Sequence, residues 1–85
     1  MLGPVVNVLY FAALRELVGE AEEQLELPAG VRTVRDFVSY LERVRPALAG
    51  KMASVRVALD ETFANDSDAL QGAHVIALIP PVAGG

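Results

Sequence analysis

The chain has 85 residues, of which 53% are hydrophobic, and its formal net charge is −4 from seven basic and eleven acidic residues. A chain of this length forms one small domain, and its hydrophobic content argues against disorder. The acidic balance argues against nucleic acid as a partner, because phosphate binding relies on clustered basic side chains. No apolar run approaches the roughly 20 residues of a membrane span. Residues 1–4 lack the basic start of a secretory signal, so we expect a cytoplasmic protein with no membrane contact.

Side chains suited to catalysis are scarce in this sequence. There is no cysteine, which excludes disulfides, thiolate metal sites and cysteine nucleophiles. The single histidine, His74, does not make a metal site alone, so we expect no bound metal. The acidic residues Glu20, Glu22, Glu23 and Glu26 are interpreted as a solvated strand face. We therefore expect a protein that is not catalytic by itself.

The first half of the chain predicts two strands separated by a short helix. Residues 5–11 are mostly β-branched or aromatic, which is typical of a strand. Residues 12–19 have helical spacing of their leucines and end at Gly19, which predicts one or two helical turns. Residues 22–27 alternate acidic and apolar side chains, as in an antiparallel strand with one face in water.

The clearest element is an amphipathic helix that begins after Thr33 and ends before Pro46. Thr33 suits an N-cap, and Asp36 stands where a capping-box acid would. Apolar side chains then follow one helical stripe: Val34, Phe37, Val38, Leu41 and Val44. The polar side chains are predicted to face away from the core: Arg35, Ser39, Glu42, Arg43 and Arg45.

The second half of the chain predicts three further strands. A strand over residues 55–59, a turn over 60–62 and a short return strand over 63–64 precede a last buried strand over 75–79. One amphipathic helix covers only one face of a sheet, so we predict a two-layer α+β domain with a mixed sheet. The first and last strands, which are the most continuously apolar, are predicted to pair at its centre. The domain then spans residues 1–79 and a tail spans residues 80–85.

The tail has an unusual composition for a chain terminus. It carries no charge and no bulky side chain, and its residues are Pro80, Pro81, Val82, Ala83, Gly84 and Gly85. The two prolines end the last strand because they lack an N–H, and the glycines fit a channel too narrow for other residues. Extended at about 3.1 Å per residue, such a tail reaches about 19 Å. A frayed terminus is the alternative. Since other reactive groups are scarce, the Gly85 carboxylate is the candidate reactive group.

The sheet face away from the main helix is a candidate binding surface. Strand alternation places Phe11, Phe63 and Ile79 on that face. A contiguous apolar patch there would mark a site for a protein partner. The alternative is that residues 12–19, or the connector before the third strand, fold over the face and bury it.

The sequence resembles the small subunit of molybdopterin synthase, a sulfur carrier with the β-grasp (ubiquitin-like) fold. Residues 11–19, Phe-Ala-Ala-Leu-Arg-Glu-Leu-Val-Gly, resemble the end of that family's first strand and the turn that follows. Residues 78–85, Leu-Ile-Pro-Pro-Val-Ala-Gly-Gly, resemble its C-terminal tail and are the more specific match. A Gly-Gly end alone is common to ubiquitin-like carriers. The predicted order of elements fits a β-grasp over nearly the whole chain.

The resemblance implies a function for the tail. An E1-like adenylyltransferase would use ATP to adenylate Gly85, and a sulfur donor would convert the adenylate to a thiocarboxylate. The large synthase subunit would admit the tail, and the sulfur would pass to a pterin precursor to form the dithiolene of molybdopterin. The carrier would hold no permanent cofactor. The family's hydrophobic partner surface matches Phe11, Phe63 and Ile79, and the turn that contains Arg15 is a further candidate contact.

Two other kinds of function stay open. The same thiocarboxylate would serve thiamin synthesis, tRNA thiolation or cysteine synthesis, although the double proline and the chain length favour molybdopterin. In the second kind of function, the chain is a ubiquitin-like modifier whose Gly85 is joined to lysines through isopeptide bonds, or it is a plain interaction domain with no tail chemistry.

Overall fold

The computed structural model, which describes residues 3–70 and 72–81, has five strands in one mixed sheet packed against one main helix. The strands are β1 (Val5–Tyr10), β2 (Glu22–Glu26), β3 (Arg56–Leu59), β4 (Thr62–Ala64) and β5 (Val75–Ile79). The helices are α1 (Ala13–Val18), α2 (Val34–Val44) and a 3₁₀ turn (Pro46–Leu48). The predicted two-layer α+β architecture is confirmed.

The sheet has the strand order β2-β1-β5-β3-β4. Strands β1 and β5 are parallel, and the other neighbouring pairs are antiparallel. The first and last strands therefore pair inside the sheet, as their continuous apolar composition predicts. The polar strand β2 and the three-residue strand β4 form the edges, where polar side chains and short length limit pairing with other chains.

The core lies between the sheet and α2. On the sheet side, the fully or almost fully buried side chains are those of Val6, Val8, Tyr10, Ile76 and Leu78. On the α2 side they are those of Val34, Phe37 and Leu41. Both sets follow the predicted periodicities, two along the strands and 3.6 along the helix.

Helix α2 begins with the predicted capping box. The backbone N–H of Asp36 donates to Thr33 Oγ1 at 3.2 Å, and the Asp36 carboxylate accepts from the Thr33 N–H at 3.2 Å. These two bonds satisfy backbone donors that the first turn of a helix leaves free. The helix ends before Pro46, which starts the 3₁₀ turn and brings Leu48 into the core. The connector predicted after Pro46 thus contains a short helical turn.

The β3–β4 hairpin closes through a two-residue turn. Asp60 and Glu61 have φ angles of 47° and 75°, as a type I′ turn requires of its two central residues. Asp60 Oδ1 accepts hydrogen bonds of 2.9 Å from the backbone N–H groups of His74 and Val75, and these bonds lower the pKa of Asp60. The turn is thereby tied to the start of β5. Thr62, which the sequence placed in the turn, is the first residue of β4.

Truncating the centre of the α2 stripe should destabilise the domain strongly. Leu41 is 0% exposed, so Leu41→Ala is expected to lower the free energy of unfolding by about 2–5 kcal/mol, through lost burial and the cavity left behind. Urea unfolding measures the change. Leu17→Ala is the matched control, because Leu17 on α1 is 40% exposed and its truncation should cost only about 0.5 kcal/mol. Similar losses in the two variants would contradict this assignment of the core.

Candidate functional site

One end of the sheet brings together the residues from which the tail departs. Because β1 and β5 are parallel, both strands end at this end of the sheet. The antiparallel strand β3 begins there. The Phe11 N–H donates to the Leu78 carbonyl at 3.3 Å, and Arg56 stands directly opposite Ile79. The last strand stops at Ile79, next to Pro80. We call this end of the sheet the tail end.

The sheet face opposite α2, the open face, carries exposed aromatic side chains. Phe11 is 41% exposed and Phe63 is 55% exposed, while Ile79 is half-buried beside them. Alternation with the buried Leu78 places Ile79 on this face, as the sequence predicts. Side chains this large and this exposed are candidates for contact with another protein. Their role in binding a partner stays a prediction.

Residues 12–19 and the connector before β3, which were the alternative cover for the open face, lie instead on the α2 side of the sheet. Leu14 of α1 is buried in the core, and α1 contacts the 3₁₀ turn. In the connector, Leu48 and Met52 are buried in the same core. Both segments therefore pack against the core on the α2 side of the sheet, and the aromatic side chains of the open face remain exposed.

The link between β1 and α1 makes a sharp turn at Ala12. Its φ of 52° and ψ of −128° lie in a region that favours glycine and costs another residue about 1–3 kcal/mol. Helix α1 then runs for six residues and ends at Gly19, whose left-handed φ of 87° suits glycine. Arg15 lies exposed on α1, where it lines a shallow depression together with Ala12 and Glu16. Arg15 thus lies on the helix that follows the tail end of β1, and its contact with a partner stays a prediction.

The tail itself is described only at its start. Pro80 is half-buried and Pro81 is exposed. The predicted tail residues Val82, Ala83 and Gly84, and the predicted reactive carboxylate of Gly85, lie outside the described residues. Their roles and the boundary between domain and tail stay predictions.

Beneath the tail end, a polar network joins β1, β2 and the end of α2. The Tyr10 hydroxyl donates to the carboxylate of Glu23. Arg45 Nε donates to Glu23 Oε2 at 2.9 Å, and its Nη2 forms an ion pair with Glu23 Oε1. Arg45 also donates from Nη1 to the Val44 carbonyl. The network fixes the end of β1 immediately before Phe11.

Two sequence interpretations are wrong at this network. Glu23 was expected on a solvated strand face, but strand alternation puts it on the same side as Leu25 and Leu27, toward α2. Arg45 was expected to point away from the core with the polar helix residues. The helix ends at Val44, and Arg45 has non-helical φ and ψ of −131° and 79°, so its side chain leaves the helical pattern and meets Glu23.

The network holds its members in fixed protonation states. Burial raises the pKa of Tyr10, and the neighbouring Glu23 carboxylate raises it further. Burial alone would raise the pKa of Glu23, but hydrogen bonds from Arg45 and Tyr10 outweigh it and the pKa is lowered. The pKa of Arg45 is raised, chiefly by its hydrogen bond to Glu23. Glu23 is therefore ionised and Tyr10 protonated at neutral pH.

Arg56 belongs to the open face, and the sequence interpretation did not single it out. Its guanidinium carbon lies 4.2 Å from the centroid of the Phe63 ring. Alternation along β3 already places Arg56 on the same face as Ala58, which pairs with Phe63. The missing information was the strand pairing, which sets Arg56 beside both Phe63 and Ile79.

The described parts of the chain contain neither a grouped set of metal-ligand side chains nor a helix that could span a membrane. Across residues 3–70 and 72–81, no three His, Cys, Asp or Glu side chains are grouped so that they could hold a metal ion. Within the same ranges, no helix has the length and apolar character to cross a membrane.

Comparison with known proteins shows similarity over nearly the whole chain. The profile of the ThiS family matches residues 8–85. The molybdopterin synthase sulfur carrier subunit of Chlamydomonas reinhardtii is 35% identical over 82 residues, which cover 94% of this chain and 98% of that protein.

Two solved structures share the fold. A putative molybdopterin converting factor, subunit 1, from Pyrococcus furiosus is 30% identical with a TM-score of 0.76, over 92% of this chain and 98% of that one. The small archaeal modifier protein 1 (SAMP1) of Haloferax volcanii is 26% identical with a TM-score of 0.81, over 96% of this chain and 100% of that one. The predicted β-grasp, ubiquitin-like fold is confirmed.

Replacing Glu23 by glutamine should lower stability at neutral pH and weaken the dependence of stability on pH. The folded-state pKa of Glu23 lies below its unfolded value, so its contribution is present above about pH 4.3 and is lost as the pH falls through the folded pKa. Urea unfolding at pH 7 and pH 3 measures this contribution. The stability gap between the wild type and Glu23→Gln should be large at pH 7 and narrow at pH 3.

The matched control for this test is Glu20→Gln, because Glu20 is exposed and precedes β2. It should change the free energy of unfolding by no more than about 0.5 kcal/mol at either pH. A gap for Glu23→Gln that stays constant between the two pH values would show that the network does not depend on an ionised Glu23.

Proposed function

We propose, since this chain belongs to the ThiS family, that it is the sulfur carrier subunit of a molybdopterin synthase and acts in molybdenum cofactor biosynthesis. The single observation that carries the proposal is the relationship to proteins of that name over almost their full length. The composition of residues 80–85, Pro-Pro-Val-Ala-Gly-Gly, also supports the proposal, because these residues have no charge and no bulky side chain.

The reacting group is the C-terminal carboxylate of Gly85. An E1-like adenylyltransferase binds ATP, and a carboxylate oxygen attacks the α-phosphorus with release of pyrophosphate. A donor of sulfur at the sulfide level then attacks the acyl carbon and displaces AMP, which leaves a thiocarboxylate on Gly85. ATP is thus a substrate of the activating enzyme, and the carrier holds no cofactor of its own. The lack of cysteine in the chain supports this assignment, because no thiol competes as the sulfur-carrying group.

The second half of the cycle takes place on the large subunit of the synthase. Its active site receives the tail of residues 80–85 and binds the pterin precursor. The thiocarboxylate sulfur forms a bond to a carbon of the precursor and displaces an oxygen group there. Water then cleaves the bond between the sulfur and the Gly85 acyl carbon, which restores the Gly85 carboxylate. The catalytic side chains belong to that subunit. Glycine at the last two positions permits close approach to the active-site walls, because neither residue has a Cβ.

The open face is the docking surface for this partner. Phe11, Phe63 and Ile79 supply the apolar contact, and Arg15 lies on α1, the helix that follows the tail end of β1. The tail starts at Pro80, next to Ile79. A partner seated on the open face therefore meets the tail as it leaves the domain, and six extended residues reach about 19 Å into it.

We place the carrier in the cytoplasm. The activating reaction consumes ATP, and a chain without cysteine needs no oxidising compartment to fold.

A second candidate is a protein modifier, which the likeness to the small archaeal modifier protein 1 of Haloferax volcanii supports. In that case the activated Gly85 carboxyl would be attacked by a lysine amine, and an isopeptide bond would form in place of a thiocarboxylate. The two candidates share the adenylation step and differ in the nucleophile that follows.

Intact-mass spectrometry tests the fate of Gly85. After incubation with the E1-like enzyme, ATP and sulfide, the chain should gain the mass that corresponds to one oxygen replaced by sulfur. Fragmentation should place that change on the last residue. A chain shortened by removal of Gly84 and Gly85 is the control and should show no change.

Other products would overturn the sulfur-carrier proposal. An unchanged mass under conditions in which the enzyme consumes ATP would do so. Recovery of the chain in isopeptide linkage to lysines, with no thiocarboxylate, would instead support the modifier function.

A charge placed in the open face should weaken docking while the fold persists. Phe63→Asp is expected to weaken binding to the large synthase subunit, measured by isothermal titration calorimetry, because it puts a carboxylate in an apolar contact. Since Phe63 is 55% exposed, the stability of the domain should fall by only about 1 kcal/mol. Phe11→Asp should behave in the same way. A loss near the 3–5 kcal/mol typical of a buried phenylalanine would show that these side chains belong to the core.

A further inference from the structure

Arg56 is the only lysine or arginine in the five described strands. The chain as a whole is acidic, with a net charge of −4. On the open face, the charged side chains of β2, Glu22 and Glu26, lie at one edge of the sheet. Arg56 is therefore the only cation that the described strands place on the open face, and Arg35 of α2 lines the same shallow depression as Arg56.

The surroundings of Arg56 hold its guanidinium while leaving its charge available. The guanidinium carbon lies 4.2 Å from the centre of the Phe63 ring, within the range of a cation–π contact. Within the described residues Arg56 forms no ion pair, and the ion pair of Glu23 with Arg45 belongs to the helix side. A stacked guanidinium still presents N–H donors at its edge, in the planar arrangement that matches a carboxylate.

The position of Arg56 is tied to the tail. It lies on β3 directly opposite Ile79 of β5, the residue that precedes Pro80. Glu22 lies opposite Leu9 at the same end of the sheet, so the order β2-β1-β5-β3 separates it from Arg56 by three strand spacings, about 14 Å. The tail end of the open face is therefore polarised, with an acid at one side and a cation next to the tail.

We propose that Arg56 pairs with a carboxylate of the partner that docks on the open face, and that this pair sets the orientation in which the tail enters the partner. This inference rests on the proposed function, since it concerns the same docking surface. An apolar patch alone attracts without direction, whereas a charge pair at its margin fixes the register of two surfaces. The partner surface has an apolar centre and an acidic side chain one strand spacing from the entry point of the tail.

Charge reversal with a matched control tests this pair. Arg56→Glu and Arg43→Glu change the net charge equally, but Arg43 lies exposed on α2, in the layer away from the open face. The probe is the large molybdopterin synthase subunit encoded in the same genome. Calorimetry should show that Arg56→Glu raises the dissociation constant about tenfold or more. Arg43→Glu should leave it within about twofold of the wild-type value.

Two further variants separate docking from folding. Arg56→Gln removes the charge with little change of size and should make binding less sensitive to salt than in the wild type. Arg56→Lys keeps the charge without the planar fork and should bind between the wild type and Arg56→Gln. The melting temperatures of these two variants should stay close to that of the wild type. They also keep the test valid if Arg56→Glu does not fold.

Three results would overturn the inference. Equal effects of Arg56→Glu and Arg43→Glu would show that only net charge matters. Unchanged binding of Arg56→Gln with a lowered melting temperature would show that the stack on Phe63 serves the fold. Failure of the wild type to bind the large subunit would overturn the proposed function together with this inference, whereas normal wild-type binding with no effect at Arg56 would overturn the inference alone.

Discussion

The parallel pairing of β1 with β5 is the constraint on which the rest of this molecule depends. It joins the two ends of the chain inside one sheet, so the C-terminal tail leaves the domain next to Phe11. Both strands are mostly apolar on both faces, yet the single long helix covers only one face of the sheet. The uncovered face and the departing tail therefore lie together, and a partner that recognises the first is placed to receive the second.

In the proposed function, the domain docks on the partner and the C-terminal tail carries the reacting group. The domain is held by the core beneath α2 and by the Tyr10–Glu23–Arg45 network beneath the tail end. The open face offers contact area and, at Arg56, a directional charge. In the proposed function, the reacting group is the Gly85 carboxylate, and the activating enzyme and the large subunit supply the catalytic groups. A carrier of this kind needs surfaces and reach more than it needs a pocket.

Local sequence patterns predicted most of the fold, because each depends on neighbours in the chain. The capping box at Thr33, the apolar stripe of α2 and the stop at Pro46 are examples. The errors concerned side chains whose contacts are made with residues distant in the sequence. Glu23 reads as one of several acids in a row until alternation and the end of α2 bring Arg45 to it. Arg56 reads as an ordinary strand residue until β4 and β5 set it between Phe63 and Ile79. The prediction for the tail rested on its composition and on its resemblance to the tail of the sulfur-carrier family.

The most direct test of the account is a single turnover on the large synthase subunit. The thiocarboxylated chain is mixed with that subunit and the pterin precursor, and the pterin product and the mass of the chain are followed together. The account predicts that sulfur appears in the pterin as the chain loses it, and that Gly85 returns to a carboxylate. A thiocarboxylated chain that binds the large subunit but leaves the precursor unchanged would contradict it.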